Sequence, residues 1–282
     1  MSKIIPSKDL KFWLLGISAG LMTLHLTLTW KSGNTNLLTA AVLFWVAVAL
    51  QIWKKRHALN LESDVFSRWL GILLITLVLF QSNYLFENDL FLRVSPLSLG
   101  MGMGLVASGF KRLKQYWQEL LLLGAIAIPW ESLLPYTNFL AALSLLTAKF
   151  ATFLLWSLGF QVNLQGIFII LPTGALEVAP GCSGIGIILQ LLGWAFVLFV
   201  MVPTSWKQKI WLLSAAVILG FAVNGIRVAL MAVLVALSNR SAFDYWHQGD
   251  GSLIFSTIAV LIFGIICYFM VLQKELKKQI YN

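Results

Sequence analysis

Cys182 follows a Pro180-Gly181 turn and precedes a long apolar run, within Leu176-Glu177-Val178-Ala179-Pro180-Gly181-Cys182-Ser183-Gly184-Ile185. A thiol at the start of a helix feels the positive end of the backbone dipole, which favours the thiolate. The position therefore predicts a low-pKa nucleophile, with the amides of Ser183, Gly184 and Ile185 beside the sulfur and two glycines leaving room for a substrate carbonyl. A small buried hydrophobe is the structural alternative, but it leaves the flanking Pro, Gly, Ser and Gly unexplained.

Arg227 lies in the apolar run Ile210 to Leu237, within Asn224-Gly225-Ile226-Arg227-Val228. An arginine deep in a membrane helix costs at least ~2.5 to 3.5 kcal/mol, so it is expected to face a polar cavity and to serve a function. At 1.5 Å per residue it sits roughly 16 Å below the outer end of its helix. Asn224 is one turn earlier, and Gly220 continues that face as a slot beside it. A structural ion pair with Glu131 or Glu177 is the alternative. His247 belongs to Asn239-Arg240-Ser241-Ala242-Phe243-Asp244-Tyr245-Trp246-His247-Gln248-Gly249-Asp250-Gly251, read as an outer loop in which Tyr245 and Trp246 anchor the histidine at headgroup depth. Its imidazole suits general acid/base work near neutral pH. A thiol, an imidazole and an intramembrane cation drawn to one side of a membrane form the set that acyl transfer needs. His25, alone in a weakly polar span, and His57, beside a basic cluster, read as structural or solvated.

The elements that position these residues are membrane helices. Of the 282 residues 59% are hydrophobic and 11% charged, with a mean hydropathy of +0.86, against roughly 25% charged residues in an ordinary soluble domain. The net charge of +9 sits in short clusters between apolar runs, the mark of cytoplasmic loops, which excludes nucleic acid as the partner and names membrane lipid instead. Two cysteines make no disulfide framework, Cys267 lies deep in an apolar segment, and no Cys-x-x-Cys or His/Cys metal spacing is present.

Segments of roughly 20 apolar residues predict spans near 12 to 30, 36 to 53, 69 to 86, 94 to 110, 116 to 135, 183 to 203, 208 to 238 and 252 to 272. Segment 139 to 159 is expected along the outer surface, with Lys149 snorkelling. Basic clusters at Lys3, Lys8 and Lys11, at Lys54-Lys55-Arg56, at Lys111-Arg112 with Lys114, at Lys207 with Lys209, and at Lys274, Lys277 and Lys278 place both termini in the cytoplasm. Residues 161 to 180 read as two short strands joined by Pro172-Thr173-Gly174, a hairpin capping the bundle outside. The expected architecture is thus an all-α polytopic membrane protein of about eight spans. An outer-surface helix and a small extracytoplasmic β-hairpin before Cys182 complete it, in one domain over 1–282 with its core motifs in 160–272.

Three stretches, Val178-Ala179-Pro180-Gly181-Cys182-Ser183-Gly184-Ile185, Asn224-Gly225-Ile226-Arg227-Val228 and His247-Gln248-Gly249-Asp250-Gly251-Ser252-Leu253-Ile254-Phe255, resemble the exosortase/archaeosortase family of membrane cysteine transpeptidases. Among its branches the compact chain looks most like the cyanobacterial one. The resemblance implies cleavage of exported proteins that carry a C-terminal sorting signal: a Pro-Glu-Pro type motif, a transmembrane helix and a basic tail. It implies Cys182 as nucleophile, His247 as acid/base and Arg227 as the oxyanion or substrate-orienting cation, with Asn224, Glu177, Ser183 and Gly184 in support. A thioacyl intermediate would pass to an acceptor for attachment to the surface, to exopolysaccharide or to lipid. No metal or organic cofactor is implied, and the implied location is the plasma (inner) membrane with the site on the extracytoplasmic side.

A transporter or channel with Arg227 and Asn224 as an anion site is the main alternative, and it would not need Cys182. The motifs of other intramembrane hydrolases, His-Glu-x-x-His and Gly-x-Ser-x-Gly, are absent. A polysaccharide-assembly scaffold without chemistry is the third reading.

Overall fold

The structure, a computed structural model, describes residues 7–85, 87–129, 138–247, 249 and 251–273. By internal packing the chain divides into two compact units, Met1–Pro129 and Trp130–Asn282.

The first unit comprises α1 (Ser7–Lys31), α2 (Thr35–Lys55), α3 (Val65–Ser82), α4 (Asp89–Arg112) and α5 (Trp117–Ala127), with a single 3-10 turn, Leu113–Tyr116, before α5. Short polar residues start three of these helices. The side chains of Asn34, Asp64 and Asn88 accept from the amides of Leu37, Ser67 and Phe91, satisfying donors that a helix start leaves open. His25 is buried and fully used: its Nε2 lies 2.9 Å from Leu92 O and its Nδ1 accepts from Trp45 Nε1 at 3.1 Å. His57 is exposed.

The second unit begins, in its described residues, with α6 (Phe139–Ser157). A three-stranded antiparallel sheet follows: β1 (Asn163–Gln165), β2 (Phe168–Leu171) and β3 (Gly174–Glu177). The first of the two expected strands is divided, because Gly166 at φ 59° turns the chain and pairs Gln165 with Phe168. The expected Pro172-Thr173 turn joins β2 to β3, with Leu171 opposite Gly174. Ile169, Leu171 and Leu176 of the sheet, with Val178 just after it, are buried in one apolar cluster with Ala148, Ala151 and Leu155 of α6 and with Cys182. The sheet thus holds the entry to Cys182 against α6. Then come α7 (Ile185–Met201), α8 (Trp206–Ala236), α9 (Arg240–His247) and α10 (Gly251–Cys267). A capping box of Ser205 and Gln208 starts α8.

The architecture is a polytopic helical membrane protein with a small sheet. Among the described residues seven helical stretches are long and apolar enough to cross a membrane by length and composition, and Ile185–Met201 is a shorter apolar helix. One of the seven, Asp89–Ala127, runs for 39 residues and contains both α4 and α5. Between Lys114 and Lys207 the helices differ in reach. The 11 residues of α5 span about 16 Å at 1.5 Å per residue, with the rest of segment 116 to 135 partly outside the described residues. The 19 residues of Phe139–Ser157 have the length and composition of a crossing.

The stretch expected as an outer loop after α8 is instead the helix α9. Ser238, at φ 53°, reverses the chain, and Asn239 Oδ1 accepts from the amide of Ala242 at 3.1 Å. That cap gives the eight residues of α9 a defined start.

Candidate active site

Cys182 closes a one-turn 3-10 segment, Pro180–Cys182. Its amide donates to Ala179 O at 2.8 Å, and that of Ser183 to Pro180 O at 3.2 Å. Gly184 then takes the left-handed conformation, φ 93° and ψ 0°, immediately before α7. Two side chains from neighbouring helices fix this turn. Buried Asn224 of α8 donates Nδ2 to Cys182 O at 2.8 Å, and buried Thr147 of α6 donates Oγ1 to Ser183 O at 2.9 Å. Both carbonyls flanking the thiol's backbone are therefore tied down.

Glycine at 184 is required twice over, since a Cβ there would lie 2.9 Å from both Asn224 Cβ and Asn224 Nδ2. Gly184→Ala is expected to destabilise the protein by roughly 1–3 kcal/mol from the backbone strain alone. It would also push Asn224 off Cys182. The check is thermal unfolding in detergent, with a loss on the order of 5 °C and a parallel fall in activity at temperatures where the variant remains folded.

His247 reaches the thiol because α9 folds back along α8. Arg227 lies nine residues before the end of α8 at Ala236, about 14 Å of helix, and the eight residues of α9 descend about 12 Å. The predicted depth gap between arginine and histidine is thereby closed by a returning helix. Arg227 holds it there: Nε donates to Trp246 O at 3.2 Å and Nη2 to His247 O at 2.6 Å. A cation on the last carbonyls of a helix is favoured by the dipole as well as by the hydrogen bonds. His247 Nε2 stands 3.3 Å from Cys182 Sγ. Phe243, one turn earlier on α9, stacks on the imidazole with ring centres 5.0 Å apart and planes at 26°. The expected slot at Gly220 is filled by α7: a Cβ there would meet Ile188 Cα at 3.0 Å.

The electrostatics correct the expectation of a low-pKa thiol. Cys182 is 8% exposed, and burial pushes its thiol above the ordinary value while the Arg227 guanidinium pulls the other way without prevailing. One amide expected beside the sulfur, that of Ser183, is taken by Pro180 O, and the helix proper begins only at Ile185. His247 is lowered, first by burial and then by Arg227, with Asp244 opposing. Both partners therefore rest neutral at pH 7, as a thiol beside an imidazole able to accept its proton. Accordingly, the rate of Cys182 alkylation by iodoacetamide should climb with pH to beyond the usual thiol pKa of about 8.5. A plateau already reached near pH 6 would reveal a preformed thiolate–imidazolium pair and overturn this assignment.

Glu177 is not brought to the site. It is exposed on β3 opposite Phe168 and makes no ion pair with Arg227; Glu131 lies outside the described residues. Ser183 is buried and contributes its carbonyl to Thr147 rather than an amide to the sulfur. Thr147 carries no sequence signal for its bond to Ser183 O, and for Phe243 the i, i+4 spacing to His247 is the signal. Among the described residues no group of three or more His, Cys, Asp or Glu could hold a metal ion. Asn224 Nδ2 donates to Cys182 O, and Arg227 spends two of its five N–H donors on the carbonyls of Trp246 and His247.

The arrangement can move a proton from sulfur to imidazole beside a fixed guanidinium. The family model described as Transmembrane exosortase matches residues 30–264, a stretch that includes α6, the sheet and every residue of this site. No curated protein and no solved structure matches. A match over so much of the length settles the family: the chain belongs to the transmembrane exosortases.

Proposed function

We propose that the protein is a membrane-embedded cysteine protease/transpeptidase acting on exported proteins with a C-terminal sorting signal. The observation that carries the reading is the 3.3 Å approach of Cys182 Sγ to His247 Nε2 in a chain of the exosortase family. Cys182 Sγ attacks the scissile carbonyl as His247 Nε2 takes the thiol proton. The tetrahedral intermediate collapses to a thioester, and the proton passes from His247 to the departing amine. An acceptor nucleophile then gives its proton to His247, attacks the thioester and releases the thiol. An amine, hydroxyl or sugar acceptor makes this transpeptidation or transfer, with exopolysaccharide or lipid as the destination, and water makes it proteolysis.

The substrate signal is a Pro-Glu-Pro type motif followed by a transmembrane helix and a basic tail. In this reading the protein lies in the plasma (inner) membrane with both termini cytoplasmic and Cys182 on the extracytoplasmic side. Lys207 and Lys209 support that orientation, because they start α8 at the end remote from α9, and Lys209 Nζ sits over the Trp206 ring at 4.9 Å, as an interfacial anchor does.

The test uses the full chain in lipid nanodiscs with a peptide comprising such a signal, quenched in acid and digested. The expected result is a hydroxylamine-labile acyl adduct on Cys182 and release of the helix-plus-tail fragment. Cleavage without an adduct on Cys182, or no cleavage of any signal of this kind, would remove the proposal. The transporter reading predicts instead that Cys182→Ala retains all activity.

A further inference from the structure

The first unit contains a cavity of about 370 Å³ walled by α1, α2, α4 and α5, within the roughly 300–1,000 Å³ of ordinary ligand pockets. Most of its wall is aliphatic or aromatic, including Leu14, Trp45, Leu99 and Leu123. Its polar lining is Ser18, whose hydroxyl bonds back to Leu14 O, with Tyr116 and Glu119 one turn apart and Arg56 next to Lys55, the ion-pair partner of Glu119. Glu119 is 3% exposed. Its Oε2 pairs with Lys55 Nζ at 2.7 Å, but its buried Oε1 has no hydrogen-bond partner among the described residues. A buried carboxylate oxygen left without a donor is costly, so a purely hydrocarbon occupant would leave this wall unsatisfied.

The charge around that end is positive. Lys55 Nζ also donates to Gln115 O, and Arg112 pairs with Glu62 across the same joint. The segments Lys54-Lys55-Arg56 and Lys111-Arg112-Leu113-Lys114 are thereby held together, and their cations outnumber Glu62, Asp64 and Glu119. Arg56 is exposed and lies over the Trp53 ring at 4.3 Å, with Nη1 on Trp53 O. Its remaining donors point to no protein acceptor among the described residues.

We propose that this cavity is a binding site for one anionic phospholipid with a hydroxylated headgroup, a phosphatidylglycerol. One acyl chain fills the apolar cavity, the phosphate lies against Arg56 in the basic rim, and a headgroup hydroxyl donates to Glu119 Oε1. A phosphatidylcholine offers neither net negative charge nor a headgroup donor. The site is built entirely within the first unit and does not depend on the chemistry assigned to Cys182.

The test is native mass spectrometry of the full chain released from nanodiscs of equimolar phosphatidylglycerol and phosphatidylcholine. The expected result is one phospholipid retained per protein, with phosphatidylglycerol favoured at least tenfold. Arg56→Gln and Glu119→Gln should each lower that preference severalfold, and Met103→Trp, which fills the cavity, should abolish retention. Because Glu119→Gln leaves Lys55 without its carboxylate, its folding is checked by thermal unfolding; Arg56→Gln at an exposed position gives the same reading without that burden. Equal retention of both lipids, retention unchanged in Met103→Trp, or a preference unchanged in Arg56→Gln would each overturn the assignment, as would a cavity occupied by water alone.

Discussion

Cys182→Ala is expected to lower signal cleavage by at least about 10⁴-fold, since loss of the nucleophile removes the covalent route altogether. Cys182→Ser is expected to fall nearly as far. Among the described residues the imidazole is the only base in contact with Sγ, burial already disfavours an anion at this position, and a hydroxyl is far harder to deprotonate than a thiol. Alanine removes only one sulfur atom from the buried cluster around Cys182, so thermal unfolding should shift by only a few degrees and the fold should persist. Processing of a tagged substrate, followed by its size, is the measurement. Undiminished processing in Cys182→Ala would dismiss the cysteine mechanism whatever the family. His247→Ala tests the same contact from its other side, and a loss of about 10²- to 10⁴-fold is the range for a general base.

Cys182, Arg227 and His247 are legible in sequence because each breaks a local pattern. A Pro-Gly turn interrupts strand-like alternation before Cys182, a guanidinium interrupts an apolar helix, and a polar stretch separates two spans. What joins them is not legible in the same way. Membrane hydropathy fixes where helices run but carries no information on a short helix such as α9, whose composition is that of a loop. Its start lies in the positive φ of Ser238 and the cap from Asn239; its end is set by Arg227 from another segment. Thr147 is invisible for a related reason, because a hydroxyl in an apolar helix ordinarily bonds back to its own turn, and only the packing of α6 against the Cys182 turn gives it Ser183 O instead.

The electrostatic sign at the thiol differs from the sequence expectation for a physical reason. A helix start promises positive potential at a nearby thiol, but the benefit falls off within a turn. Gly184 in the left-handed conformation interposes a break between Cys182 and the first residue of α7. Desolvation acts at any orientation, so it prevails once the side chain is enclosed by the sheet, α6 and α8. In the proposed mechanism, activity therefore depends on His247 as a base. Its lowered pKa keeps the imidazole neutral to more acid pH than an unperturbed histidine, so kcat/KM should hold from neutral pH downward and fail only below about 6.5.

Arg227→Gln is expected to lower kcat by about 10²-fold, the loss that a displacement on the order of 1 Å in a catalytic group can cause. Two of its nitrogens hold the carbonyls of Trp246 and His247, so in this structure the residue positions the imidazole rather than facing an oxyanion. Lysine is a poor replacement, because one ammonium on a flexible stem does not reproduce a planar fork that bridges two adjacent carbonyls. The two roles separate in a double-mutant cycle with His247→Ala. If Arg227 acts by placing the histidine, removing it from a protein already lacking that imidazole should change the residual rate by less than about threefold. If it stabilises the oxyanion directly, the losses should multiply.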